Sequence, residues 1–349
     1  MNPSWSRRAH RSFLIGAPLF VFALALALAR RFTPETALSG DLTRYQQIYE
    51  SAYFMGYSEY IASYRFELGF SVLFKFFQDM GLTFSQYLDL NQLAFFTAFY
   101  YLLRAVTPHS YTWAGAALIG SLFLPTHLLM SNQALRQAWA MTLLFIALGI
   151  LLRRLRTQSA RQALLSPWVL VPLLLGVLFH ASLIAIVVLI VAALTLPQRL
   201  LLPAWLVMFG LYCTNFVGLG GYLEQYLYPI INARSTGVEA QLETGYTTGR
   251  KLSYILMSVV PFLAWQWVRM FRVPISAPLQ ALFNIYWVAN AFCLLLIYLP
   301  FSDRFFHYSW SIIPVIAAGV LYAHAHSRYA SAASRRDQSM RPQRRQHSV

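Results

Sequence analysis

The chain has 349 residues, of which 58% are hydrophobic and only 11% charged, more apolar surface than a soluble fold of this length can hide. Its two cysteines, Cys213 and Cys293, both fall inside apolar runs, which excludes a disulfide framework and a cysteine-based metal site. The formal charge of +15 does not indicate a nucleic-acid partner: of the 27 Lys+Arg all but Lys75 and Lys251 are arginines, gathered in short segments between apolar runs as topology signals are.

The apolar runs have the length an α-helix needs to cross roughly 30 Å of hydrocarbon, and backbone groups in lipid must be paired within their own segment, so helices and not strands are expected. About ten transmembrane helices are predicted, over residues 13–29, 86–104, 112–130, 134–152, 164–180, 182–197, 201–217, 252–271, 279–299 and 305–324. The first follows Arg7, Arg8 and Arg11 and resembles a signal peptide, but its length and the Arg30-Arg31 pair behind it favour a retained anchor. Placing Arg153 to Arg161, Arg269, Arg272 and the arginines of the tail in the cytoplasm puts both termini inside. Residues 66–77 must then not span, and are read as an amphipathic or re-entrant helix on the outer face. One membrane domain, 1–326, carries two outer segments, 32–85 and 218–251. A basic tail, 327–349, has the composition of a disordered segment.

Ionisable groups close to lipid persist only where something stabilises them, which makes five clusters candidates, all on the outer side of this topology. In chain order, Asp41, Tyr45 and Tyr49 share a helical face, either as a capped surface helix or as an aromatic and carboxylate wall for a sugar. Glu67 sits among Phe66, Phe70 and Phe74, either complementing a helix dipole or, desolvated, poised for proton transfer. Arg136, at the start of a long apolar helix, is flanked by Asn132, Gln133 and Gln137; it either snorkels or forms a phosphate site. His180, followed by Ser182, lies at a turn as a structural histidine or a base. Arg304 and Tyr308 share a face just after Asp303, where Asp303 can also pair locally with Arg304. No phosphate-binding glycine loop, His-Glu-x-x-His or Gly-x-Ser-x-Gly occurs, so no cofactor or metal is expected.

Asp41-x-x-x-Tyr45-x-x-x-Tyr49, Glu67-x-Gly69-Phe70, Leu135-Arg136-Gln137-x-x-Ala140, Phe179-His180-x-Ser182 and Arg304-x-x-x-Tyr308 together resemble the EpsG family, relatives of the Wzy-type O-antigen and exopolysaccharide polymerases. Leu68 departs from the pattern, standing where many relatives have proline. The resemblance implies a metal-independent membrane glycosyltransferase on the periplasmic face of a bacterial inner membrane. Its donor would be an oligosaccharide on undecaprenyl pyrophosphate and its acceptor a second lipid-linked repeat unit, with a flippase and a chain-length regulator as partners. Glu67, Arg136, His180, Asp41 and Arg304 would be catalytic, and Tyr45, Tyr49, Gln133, Gln137 and Tyr308 would bind substrate. An O-antigen ligase, a flippase and a non-catalytic subunit of a polysaccharide-synthesis system are the alternatives.

Overall fold

The computed structural model of the chain describes residues 40–64, 66–108, 110–122, 124, 127, 130–131, 134–214, 251–296 and 302–340. The expected first span at 13–29, nearly all of the outer segment 218–251, and Gln133 lie outside these residues. Among them no strand occurs, and the helices run in the order α1 (Gly40–Ser51), α2 (Tyr57–Ser63), α3 (Leu68–Asp79), α4 (Phe84–Val106), α5 (Tyr111–Leu122), α6 (Leu135–Arg154), α7 (Ala160–Leu164) and α8 (Pro167–Phe179). They continue as α9 (Leu183–Thr195), α10 (Gln198–Cys213), α11 (Leu252–Met270), α12 (Ala277–Leu295), α13 (Ser302–Trp310) and α14 (Ile313–Met340), with a 3-10 turn at Ala52–Phe54.

Among the described residues three segments, Leu135–Arg154, Ala277–Leu295 and Arg304–Arg328, are long and apolar enough to cross a membrane. With the shorter apolar helices α8, α9 and α10, they make this an all-α membrane protein. The third segment departs from the single helix expected over 305–324. It breaks at Ser311-Ile312, because Pro314 has no N–H to offer the Trp310 carbonyl. Beyond the break the backbone stays helical to Met340, past the point where a disordered tail was expected to begin. The run read as 112–130 is helical in α5 to Leu122, and His127 and Met130 further along it are helical too, with 123, 125, 126, 128 and 129 outside the described residues.

Helix α4 begins on a capping box, in which the Thr83 side chain accepts the Gln86 N–H and the Gln86 side chain returns to Thr83. It packs along α6, and α6 packs along α8; α12 meets α9, α10 and α13, while α14 lies against α5 and α11. Most buried side chains belong to this bundle core. A second, smaller core joins α1, α2, α3 and the starts of α4 and α6 through Tyr45, Tyr49, Tyr60, Phe70, Phe74, Phe84, Tyr87 and Leu135. Helix α3, in the stretch expected not to span, has 12 residues and so covers about 18 Å, too short for the hydrocarbon core. Phe70 and Phe74 point into the smaller core, while Leu68, Val72 and Phe76 form an exposed apolar stripe at a spacing of four. Lys75, buried on the same helix, is paired with Asp79 one turn on.

Candidate functional site

The site gathers where the starts of α3, α6 and α13 meet the turn between α8 and α9. Glu67 is the residue before α3, in extended backbone (φ −61°, ψ 141°), and its side chain makes no cap bond to its own helix. Arg136 is the second residue of α6, where the preceding Ala134 offers no side-chain cap. His180 closes α8 with an N–H to the Gly176 carbonyl. Each residue therefore stands at a helix end, with the apolar body of its helix committed elsewhere.

These three converge on one carboxylate. Arg136 Nη1 donates to Glu67 Oε2 at 2.9 Å, and His180 Nδ1 lies 3.1 Å from Glu67 Oε1. The Ala181 N–H adds a 3.3 Å bond to the same oxygen. The guanidinium also donates through Nε to Tyr45 Oη at 3.1 Å and lies 4.9 Å from the centre of the Phe66 ring. Arg136 keeps 23% of its side-chain exposure and Glu67 20%, so the pair is largely desolvated yet reachable. Beside it Ser182 Oγ and Tyr308 Oη are 3.1 Å apart, and Gln137 Nε2 donates to the Arg304 carbonyl at 2.6 Å, fixing α13 against α6.

Burial alone would raise the Glu67 carboxyl. The hydrogen bond from His180 and the charge of Arg136 outweigh it and hold the group at about 2. His180 is lowered from its ordinary value chiefly by burial; Glu67 opposes this, while Arg136 and Arg304 reinforce it. The imidazole is thus neutral at neutral pH. A carboxylate only accepts, so the single ring proton sits on Nδ1 facing Glu67, and Nε2 carries a lone pair. The result is an oriented imidazole base beside two guanidinium groups. Glu67 is too weakly basic at about 2 to take a proton itself near neutrality.

Glu67, Arg136, His180, Tyr45, Gln137, Arg304 and Tyr308 are brought together. Two expectations change. Tyr49 is 3% exposed and donates its hydroxyl to the Leu82 carbonyl at 2.8 Å, which takes it out of any sugar-facing wall. The polar nest around Arg136 divides, because neighbouring helical residues point about 100° apart: Arg136 turns to Glu67 and Gln137 to Arg304. Asp41 lies in the first turn of α1, and its side chain is outside the description. The Ala181 N–H and the Phe66 ring were not picked out as partners. Their adjacency to His180 and Glu67 was the signal for both.

Fold and site define a multi-helix membrane protein with a carboxylate–guanidinium–imidazole centre. The EpsG family model matches residues 16–330, and the chain belongs to the EpsG family. No curated protein and no solved structure matches it.

Proposed function

We propose that the protein is a membrane glycosyltransferase that polymerises lipid-linked oligosaccharide repeat units of an O-antigen, capsule or exopolysaccharide. Membership of the EpsG family supports a polysaccharide-polymerase type of function. The observation that carries the chemical assignment is the Glu67–His180 hydrogen bond beside Arg136. The donor is a glycan on undecaprenyl pyrophosphate and the acceptor a second lipid-linked unit, on the periplasmic face of a bacterial inner membrane with both termini cytoplasmic. A flippase would supply the units and a chain-length regulator would act with the polymerase.

In this reaction the acceptor hydroxyl oxygen attacks the anomeric carbon of the donor glycan. Its proton passes to His180 Nε2, and the bond from the anomeric carbon to the pyrophosphate oxygen breaks. The leaving pyrophosphate takes the electron pair, and Arg136 and Arg304 balance the charge that develops there. Glu67 holds the imidazole in the tautomer that leaves Nε2 basic and keeps Arg136 in place. Tyr45 fixes the other side of that guanidinium. Two of the five guanidinium donors of Arg136 go to Tyr45 and Glu67, so it meets an oxyanion as one arm of a pair, with Arg304 as the other.

The test is the glycan ladder of a null strain complemented with wild type, His180→Ala or Arg136→Ala at matched protein levels. Wild type restores long chains and both variants leave single repeat units. Loss of a ligase would instead leave polymer unattached to its final acceptor, and loss of a flippase would leave no repeat unit on the outer face. Full-length chains with His180→Ala would remove the base from the mechanism.

A further inference from the structure

Glu67, Arg136 and His180 come from three different helices, and a second contact draws one residue from each of the same three. Phe77 of α3, Trp139 of α6 and Phe179 of α8 form a stack. The Trp139 indole lies between the other two rings, with centroids 6.5 Å and 6.0 Å away and planes 26° and 29° apart. Trp139 follows Arg136 by one helical turn, and Phe179 immediately precedes His180. The indole Nε1–H donates to Tyr87 Oη at 2.9 Å, which adds α4 to the joint. The other end of α3 is held by close approach. A Cβ at Gly69 would lie 2.9 Å from the Leu178 carbonyl oxygen and 3.0 Å from the Leu178 Cβ, so only glycine lets α3 seat on the last turn of α8.

We infer that Trp139 is a positioning residue for the Glu67–His180 pair, with the Gly69 contact as its counterpart at the opposite end of α3. The inference rests on the polymerase reading. Glu67 precedes α3 in extended backbone and makes no cap bond to it, so the docking of α3 sets the reach of the carboxylate. The outward face of α3 is the Leu68, Val72 and Phe76 stripe, leaving the stack and the Gly69 seat to fix its position against α6 and α8. A displacement of about 1 Å at a reacting group can cost about a hundredfold in rate.

The groups facing His180 are Glu67 from α3, Arg136 from α6, and Arg304 and Tyr308 from α13, with Ser182 beside it in sequence. Burial lowers this imidazole and Glu67 opposes the lowering, so a displaced α3 changes both influences and moves its titration.

The experiment measures chain elongation against pH with purified full-length protein. The substrate is the lipid-linked single repeat unit extracted from the null strain. Trp139→Phe, which keeps a ring in the stack, should stay within about threefold of wild type. Trp139→Ala should lose about tenfold or more, with its acid limb moved by half a pH unit or more. Gly69→Ala should move the limb in the same direction, and it carries the test alone where Trp139→Ala does not accumulate in the membrane. Trp205→Ala, in the distant contact between α10 and α12, should lower stability without moving the limb. An unmoved limb in both Trp139→Ala and Gly69→Ala, or an equal shift in Trp205→Ala, overturns the positioning role. Wild type that fails to elongate the extracted unit overturns the polymerase reading instead.

Discussion

Replacing Glu67 by Gln keeps the shape of the side chain and removes its charge. Three donors meet this carboxylate: Arg136 Nη1 at 2.9 Å on one oxygen, and His180 Nδ1 at 3.1 Å with the Ala181 N–H at 3.3 Å on the other. An amide offers one accepting oxygen. Whichever way it turns, its NH2 faces a donor, and turning it toward Arg136 sacrifices one contact rather than two. Removing one partner of a buried ion pair costs about 3–5 kcal/mol. Both side chains here retain about a fifth of their exposure, which places the loss nearer about 2–3 kcal/mol. Transmitted to the barrier, that is about thirty- to a hundred-and-sixtyfold in rate. Thermal melting of the detergent-purified protein should fall by several degrees. The glycan ladder of the complemented null strain should collapse to short chains. A ladder of wild-type length together with an unchanged melting midpoint would refute the claim that the charge of Glu67 organises the site.

Acidification is expected to act on both partners with the same sign. Glu67 titrates lower in the folded protein than unfolded, so the stability it contributes is complete above about pH 5 and is lost as pH falls toward about 2. His180 is also lowered when folded, so its contribution is complete above its unfolded value of about 6.5 and is lost as pH falls from there through its lower folded value. Elongation should therefore persist somewhat below pH 6.5, and a pH profile already falling above that value would contradict a neutral His180. Asn290→Leu should destabilise the α10–α12–α13 contact by about 1–3 kcal/mol. It leaves the Trp205 indole and the Ser258 and Ser309 hydroxyls without the amide that joins them, and a denaturation series with unchanged midpoint would count against that network. Reporter fusions after Ser63 and after Gln78 should report the same side of the membrane. Opposite sides would mean that the stretch containing α3 crosses.

Helix class and most helix positions were legible because lipid imposes a one-dimensional rule. The run read as 134–152 is α6 at Leu135–Arg154, and that read as 86–104 is α4 at Phe84–Val106. Ionisable side chains next to apolar runs were equally visible, which is how Glu67, Arg136, His180 and Arg304 stood out. Their pairing was not. Glu67 is separated from Arg136 by 69 positions and from His180 by 113, and only the packing of α3 against α6 and α8 joins them. Periodicity put Tyr45 and Tyr49 on one face without saying what that face meets. In the fold it meets Phe74 and Tyr87, and the Leu82 carbonyl claims the Tyr49 hydroxyl. The break in α13–α14 was missed because hydropathy continues smoothly across it, although Pro314 marked the missing donor.

The existence of two packed cores bears on how the centre is opened. Glu67 and Tyr45 stand on the smaller core at α3 and α1, whereas Arg136 and His180 stand at the ends of α6 and α8, where Leu135, Trp139 and Phe179 meet that core and the rest of both helices belongs to the bundle. The centre is therefore a joint between bodies rather than a cavity within one, and parting that joint dismantles it while α6 and α8 stay packed. Local opening of this kind breaks the contacts of α3 with α6 and α8 and leaves the bundle core intact, so amides of α3 should exchange with solvent ahead of those of α6.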